Sequence, residues 1–298
     1  MDLLIASNSV AIADRDTAPA SGTAQWATDG NAAAGVGATT FPAYHYNMVM
    51  GELYNLVEKS GITPSAGDWT QVAQAVQSLV KAAPGRLLNV QTFTSSGTYT
   101  PTAGTNTIIV EVQGGGGSGY GCTGQAGTGT CSVGSGGNAG SYLKGKITSP
   151  VSCEVTIGAQ TGNGYNGTSI VGNSSSFGSY ITCPGGAAGT GLNQVSAPSA
   201  TGGHSYLAPT YSASVVPLEI IRDFTGGEGV ALSQTIGFGA NGGNSRFGAG
   251  GGNGAPNVNG DDGTGYGSGG SGTYSPEGGE ALTGGKGAPG LVIVYEYS

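Results

Sequence analysis

Apolar positions divide this chain into two regimes. Toward the N-terminus they recur with a helical period: Val49, Leu53, Leu56 and Val57 stand at i, i+4, i+7 and i+8, one face of a helix. Phe41-Pro42 opens that helix, because a proline in the first turn lacks only an N–H that would have no partner there. Gly61 stops it. Trp69, Val72, Val76, Leu79 and Val80 form the stripe of a second helix, with Asp68 as N-cap and Pro84-Gly85 as terminator. Residues 1–40, rich in Ala, Ser, Thr, Gly and Asp, hold no period and read as an extended arm. From Arg86 onward the pattern is that of strands: Val90-Gln-Thr-Phe-Thr94, a turn at Ser95-Ser-Gly97, Thr98-Tyr-Thr100, then Thr107-Ile-Ile-Val-Glu-Val112. The chain closes on Leu291-Val-Ile-Val-Tyr-Glu-Tyr297. Strands that bracket everything between them predict a compact unit whose ends meet in one sheet.

Glycine fills the space between the brackets. Of 61 glycines, ten precede Gly114 and none follows Gly290, so 51 fall inside that window. A flexible Gly/Ser linker would not carry the apolar segments that recur there, Tyr142-Leu-Lys-Gly-Lys-Ile147, Cys153-Glu-Val-Thr-Ile157 and Phe177-Gly-Ser-Tyr-Ile-Thr-Cys183. Collagen is excluded, since no strict Gly-X-Y period is kept and proline is sparse. The remaining ordered state is short strands plus extended, polyproline-like rods of three residues per turn. Such rods have no internal hydrogen bonds, so they must bond to one another. The expected fold is mainly β with glycine-rich extended (polyglycine-like) segments, and a small N-terminal helical hairpin preceded by an extended arm. Its parts are residues 1–40, 41–85 and 86–298. The two helices together bury a marginal core for about 45 residues. They are expected to associate with copies of themselves or another protein through Val49, Leu53, Leu56, Val57, Trp69, Val72, Val76 and Leu79; the alternative is a self-sufficient hairpin.

Charge narrows the function classes. Only 9% of residues are charged, the formal net charge is −8 and the pI is near 4.5. Nine Lys and Arg without clustering argue against a nucleic-acid groove. No apolar run approaches the roughly 20 residues of a membrane span, and the acidic Met1-Asp-Leu-Leu-Ile start is unlike a signal peptide, so synthesis in a cytoplasm without the usual export is expected. Four cysteines, Cys122, Cys131, Cys153 and Cys183, lie in the glycine-rich half without CxxC spacing. Cys122 and Cys131 could close a small loop, or all four could be buried thiols.

Catalytic motifs are weak. Gly119-Tyr-Gly-Cys-Thr-Gly124 fits G-x-G-x-x-G after a strand, but neither a helix opening at the glycines nor an acidic residue about 20 positions on follows. Lys286 precedes Gly287, not the Ser or Thr of a phosphate loop. Of the two histidines, His45 lies in the first helix and His204 beside Ser205, which is adjacency in sequence and not a triad. Asp261-Asp262 with Glu277 and Glu280 reads as a solvated acidic loop, with a hard-cation site as the lesser alternative. No enzyme, metal or cofactor is expected.

Two regions resemble bacteriophage tail-fibre proteins. Trp26-Ala-Thr-Asp-Gly-Asn31, Phe41-Pro-Ala-Tyr44, Gly61-Ile-Thr-Pro64 and Asp68-Trp-Thr-Gln-Val-Ala-Gln-Ala75 resemble an N-terminal module of such proteins. Phe93-Thr-Ser-Ser-Gly-Thr-Tyr-Thr100, Ile108-Ile-Val-Glu-Val-Gln-Gly-Gly-Gly-Gly117, Val155-Thr-Ile-Gly158, Ser175-Ser-Phe-Gly-Ser-Tyr-Ile-Thr182 and Gly284-Gly-Lys-Gly-Ala-Pro-Gly-Leu-Val-Ile-Val294 are similar to the glycine-rich domain of tail fibres and adhesins. The resemblance covers most of residues 26–298. It implies a virion tail protein, made in the host cytoplasm, forming a homotrimer and contacting other tail or baseplate proteins, with its glycine-rich end on a bacterial surface glycan or outer-membrane protein. A purely structural fibre or baseplate component is the alternative, and a depolymerase a distant third. Residues 192–224 depart from the pattern as a glycine-poor insertion. The aromatics between glycine runs are suited to recognition, since tyrosine gives large contact area with few rotors: Tyr120, Tyr165, Tyr206, Tyr211, Phe238, Phe247, Tyr266 and Tyr274. Residues 205–224 are the favoured segment, although its apolar part, 215–221, could equally be a strand buried against a neighbouring subunit.

Overall fold

The computed structural model describes residues 10–17, 20–21, 29–40, 43–125, 127–202, 205–252 and 255–298. The helix start at Phe41-Pro42, the first half of the Trp26 motif (26–28) and His204 lie outside the described residues. The chain forms two compact units, Met1–Pro84 and Gly85–Ser298. The fold is mainly β.

In the first unit, short 3-10 turns at Ile12–Asp14 and Ala32–Ala34 precede helices α1 (Ala43–Lys59) and α2 (Gln71–Ala82). Leu53 and Leu56 are half-buried and Val57 is fully buried, but Val49 is exposed. Asp68 is not the N-cap: α2 starts later, at Gln71, and its cap position is Thr70. The Asp68 carboxylate instead accepts from the Thr70 N–H at 2.8 Å and the Thr70 hydroxyl at 2.6 Å, which holds its pKa below the usual value. Trp69 therefore stands before the helix and is 94% exposed.

Alternation along the bracketing strands lays out the second unit. Two five-stranded antiparallel sheets face each other. Their strands are β1 (Leu87–Phe93), β2 (Gly97–Tyr99), β3 (Thr107–Gln113), β4 (Tyr142–Thr148), β5 (Cys153–Thr156), β6 (Ser175–Phe177), β7 (Ile181–Cys183), β8 (Thr210–Tyr211), β9 (Val215–Ile221) and β10 (Leu291–Tyr297). The larger sheet runs β1-β10-β3-β4-β9 and the smaller β8-β7-β6-β5-β2. The ends of the unit do meet: β10 lies between β1 and β3, with Val292 opposite Phe93 and Val112. Ile108, Val110 and Val112 of β3 and Val292 and Val294 of β10 point inward by the two-residue period and pack on Phe177, Ile181 and Val155 of the other sheet. The same period places Glu296 inward. It is fully buried and accepts hydrogen bonds from the Tyr99 hydroxyl (2.9 Å), the Thr102 N–H (2.9 Å) and the Thr102 hydroxyl (2.6 Å). Burial pushes its pKa up, but these donors outweigh burial and hold the carboxyl below its ordinary value.

At the end of the sandwich where β3 stops, the chain leaves as glycine rods whose bonding follows a period of three. The N–H groups of Gly114, Gly117 and Tyr120 donate to the carbonyls of Ser141, Asn138 and Ser135. Those of Gly115, Ser118 and Gly121 donate to Asn173, Ile170 and Thr168, and those of Gly116 and Gly119 to Ala288 and Gly285. One rod thus bonds to three neighbours, as three residues per turn require. The rod through residues 134–141 repeats the rule. Gly134, Gly137 and Gly140 donate to Thr273, Gly270 and Gly267; Ser135, Asn138 and Ser141 to Thr190, Ala187 and Pro184; Gly136 and Ala139 to Gly227 and Phe224. A methyl on Gly119 would overlap the Ser271 carbonyl oxygen, and one on Gly137 the Gly117 carbonyl. The four cysteines are separate thiols. Burial raises all of their pKa values, to about 12 for Cys122 and about 11 for Cys153.

Two expectations follow for stability. Gly119→Ala or Gly137→Ala forces backbone against backbone and should cost about 3 kcal/mol or more in urea unfolding, whereas Gly127→Ala, with open space around it, should be near neutral. Glu296 has a depressed folded pKa, so its contribution is present above the unfolded carboxylate value of about 4.3 and disappears as pH falls through the folded one. Glu296→Gln should lower stability by about 1–3 kcal/mol near neutral pH and flatten the acid limb of the stability–pH curve. An unchanged acid limb would refute this role.

Candidate functional site

Each rod pair turns back at the end away from the sandwich, and the turns gather there. At about 3.1 Å per residue, the rod from Gly114 to Gly121 carries its loop roughly 20 Å outward. The loops comprise residues 123–125, 127–130, 165–167, 193–198, 232–236, 255–259 and 276–280. They sit where the rods end because small strands close them: Cys131–Gly134 pairs with Tyr274–Ser275 and Gly191–Val195, and Val230–Ala231 pairs with Gly237–Phe238 and Ser199–Ala200.

These loops brace one another. The Thr123 N–H donates to Asn193 Oδ1 at 3.2 Å, the Gln125 N–H to the Gly279 carbonyl at 2.9 Å and the Gly129 N–H to Glu277 Oε1 at 3.0 Å. The Glu277 N–H donates to the Gln234 carbonyl at 2.8 Å and the Glu280 N–H to Asn257 Oδ1 at 3.2 Å. The loop at 232–236 is a hairpin closed by the Leu232 N–H on the Ile236 carbonyl, with the Ser233 hydroxyl accepting from the Ile236 N–H. The result is a fixed surface whose exposed apolar side chains include Tyr165 (55%), Leu232 (59%), Ile236 (55%), Phe238 (48%) and Val258 (50%). Glu277 and Glu280 are the charged residues of these loops.

The eight aromatics singled out by their glycine surroundings fall into four groups. Tyr165 and Phe238 stand on the loop surface. Tyr211 is exposed on β8, at the edge of the smaller sheet, and Tyr206 is exposed on a segment whose Ser205 carbonyl accepts from the rod residue Asn138. Phe247 and Tyr266, bridged to each other, lie at the sandwich end of the rods, where the Phe247 ring meets Tyr142 edge-on at 5.9 Å. Tyr120 and Tyr274, expected at the recognition surface, are buried instead. The Tyr120 ring fills the space above Gly191 and its hydroxyl accepts from the Asn193 amide. Tyr274 lies under Gly237 and donates to the Ser233 carbonyl at 2.8 Å. Burial raises both phenol pKa values.

The favoured segment 205–224 proves to be an edge. Its apolar part is β9, the outermost strand of the larger sheet, with Val216, Leu218 and Ile220 exposed. Its cationic neighbour is engaged: Arg246 pairs with Glu219 at 3.1 Å and lies over the Tyr142 ring at 5.7 Å. On the same sheet Lys144 pairs with Glu111 at 3.0 Å, and the Tyr142 hydroxyl donates to that carboxylate at 3.0 Å.

The remaining candidates hold ordinary structural posts. Gly119 and Gly121 belong to a rod, not to a strand–helix turn. Asp262 accepts from the Lys286 N–H at 2.7 Å and Glu277 from the Gly129 N–H, so each caps a backbone donor. Among the described residues no group of three His, Cys, Asp or Glu could hold a metal ion, and no helix is long and apolar enough to cross a membrane.

Tyr274→Phe removes the bond that pins the 232–236 hairpin. It should cost about 1 kcal/mol and speed amide exchange in that hairpin, whereas Phe238→Ala should shift stability by less than about 0.5 kcal/mol. Equal exchange in wild type and Tyr274→Phe would show that the hairpin is held by other contacts. No protein-family model matches this chain, and no curated protein matches it either.

Proposed function

We propose that this chain is a bacteriophage tail-fibre or tail-tip adhesin. Its N-terminal part attaches to the tail, and the loops at the far end of the glycine rods bind a bacterial surface receptor, a glycan or an outer-membrane protein. The observation that carries the reading is the polarity of the second unit. The chain enters it at Gly85, which bonds to the Ser298 carbonyl beyond the end of β10. The braced loops are at the opposite end. A scaffold fixed at one end and carrying ordered loops at the other is the arrangement in which loops recognise and framework positions. The reading takes the protein to be non-enzymatic, made in the host cytoplasm and carried on the virion tail.

One observation favours the second reading, a structural virion component without receptor contact. The apolar edge of β9 is the kind of surface that another protein covers in an assembly. Binding of the labelled full chain to a panel of bacterial strains separates the two. Saturable binding to some strains, abolished by Leu232→Asp with Ile236→Asp and retained in Val216→Gln with Leu218→Gln, supports an adhesin that binds through its loops. Assembly onto particles with no strain bound would favour the structural reading.

A further inference from the structure

The hairpin at the far end of the rods has two unlike faces. Its arms, Val230–Ala231 and Gly237–Phe238, are joined by a third strand, Ser199–Ala200. Alternation turns Ala231 and Gly237 inward, where Ala231 is fully buried and Gly237 lies on the Tyr274 ring. Val230, Leu232, Ile236 and Phe238 therefore share the outward face, with Ala200 opposite Val230. Leu232, Ile236 and Phe238 are exposed there. The Tyr274 hydroxyl, on the Ser233 carbonyl at 2.8 Å, fixes this face from beneath. The turn keeps its hydroxyls to itself: Ser233 Oγ accepts from the Thr235 and Ile236 N–H groups and meets the Thr235 hydroxyl at 3.4 Å.

The charge around this face has one sign. Residues 114–141, 158–202, 225–245 and 255–285 include every loop of the far end. They hold Glu228, Asp261, Asp262, Glu277 and Glu280, and no Lys, Arg or His. Glu228 is exposed two residues before Val230, with its carboxylate beside Gly202. Glu277 is tied to the hairpin tip by its N–H on the Gln234 carbonyl, and Glu280 is exposed three residues further on. Among the described residues, neither the Glu228 nor the Glu280 carboxylate has a hydrogen-bond or cationic partner.

We propose that this face docks a polypeptide. An apolar side chain of the receptor sits on Leu232, Ile236 and Phe238, and a neighbouring Lys or Arg faces Glu228 and the loop carboxylates. The proposal rests on the reading of the far-end loops as the receptor surface, and it names that receptor as a protein. A sugar is the wrong occupant. Its hydroxyls need polar side chains when they leave water, and against Val, Leu, Ile and Phe they would be left unpaired. Acidic glycans and phospholipid head groups are opposed by the carboxylates as well, since membrane-surface binders carry Lys and Arg beside their apolar residues. A basic, apolar segment satisfies both the face and its charge.

The test uses the labelled full-length chain on cells of a strain that it binds: untreated, digested at the surface with trypsin, or oxidised with periodate. Trypsin should abolish saturable binding and periodate should leave it unchanged. Phe238→Ala should weaken binding about tenfold or more. Glu228→Gln with Glu280→Gln should weaken it about two- to tenfold at low salt, and match wild type in about 1 M NaCl, where charges are screened within about 3 Å. Tighter binding by that variant at low salt would reveal an anionic receptor and overturn the proposal. Binding that survives trypsin but not periodate also overturns it, while leaving the adhesin reading intact, and saturable binding to protein-free phospholipid vesicles would replace the protein with a membrane. A chain that binds no untreated strain overturns the adhesin reading, and this proposal falls with it.

Discussion

Neighbouring backbones in the rod bundle lie closer than a Cβ permits, and the rest of the second unit is arranged around that fact. A rod without internal hydrogen bonds must find a partner for every buried N–H. Three residues per turn aim those groups in three directions, so the strand of chain from Gly114 to Gly121 needs three neighbours and has them. Glycine content and hydrogen bonding are one requirement. The Asn138 side chain, admitted within a rod, adds bonds of its own. Asn138 accepts from the Gly226 N–H at 3.0 Å and donates to the buried Asp223 carboxylate at 2.8 Å, joining the rod to the segment that leads out of β9.

Magnitudes explain why the rods do not stand alone. Ordering a residue's backbone costs about 1–2 kcal/mol, and glycine roughly 0.5–1 kcal/mol more than alanine, whereas a backbone hydrogen bond returns a net of about 0.5–1.5 kcal/mol. The hydrogen bonds of a rod do not by themselves offset its ordering. The surplus must come from apolar burial, which is concentrated between the two sheets around Ile108, Val110, Phe177 and Val294. The rods are continuous with those strands: β3 becomes the rod at Gly114, and β10 begins where the rod ends at Gly290. Gln113 marks the junction. It is buried, donates to the Gly140 carbonyl at 2.7 Å and packs against Gly267, whose φ of +79° and proximity to that side chain leave no room for a Cβ.

The regular parts of this architecture were legible because they obey periods. Strand β10 has the bounds expected from its residues, and the meeting of the unit's ends follows from the bracketing strands. The segment 177–183 was legible as apolar but not as two strands, since only the structure reveals the turn at Gly178, φ +51°, between β6 and β7. Burial within the rods was not legible at all. Tyr120 and Tyr266 each stand between two glycines in sequence, yet Tyr120 is 8% exposed and Tyr266 is only partly covered. What differs is a distant glycine, Gly191, lying against the Tyr120 ring. A backbone with few side chains carries no inward or outward alternation to read. Glu296 could have been found, because alternation from Val292 and Val294 points it into the core, where a carboxylate demands donors.

The same logic divides the molecule into parts that resist change and parts that admit it. A rod glycine such as Gly119 or Gly137 faces a neighbouring backbone closer than a Cβ allows, so any side chain there is excluded whatever its chemistry. A loop position such as Leu232 or Ile236 is constrained mainly by the main-chain bonds that hold its turn. Those bonds use N–H and carbonyl groups that every non-proline residue supplies. The side chains on the loop surface can therefore differ widely without disturbing the rods beneath them. A framework that is intolerant because it is nearly all backbone thus separates stability from surface chemistry, which is the property a recognition surface requires.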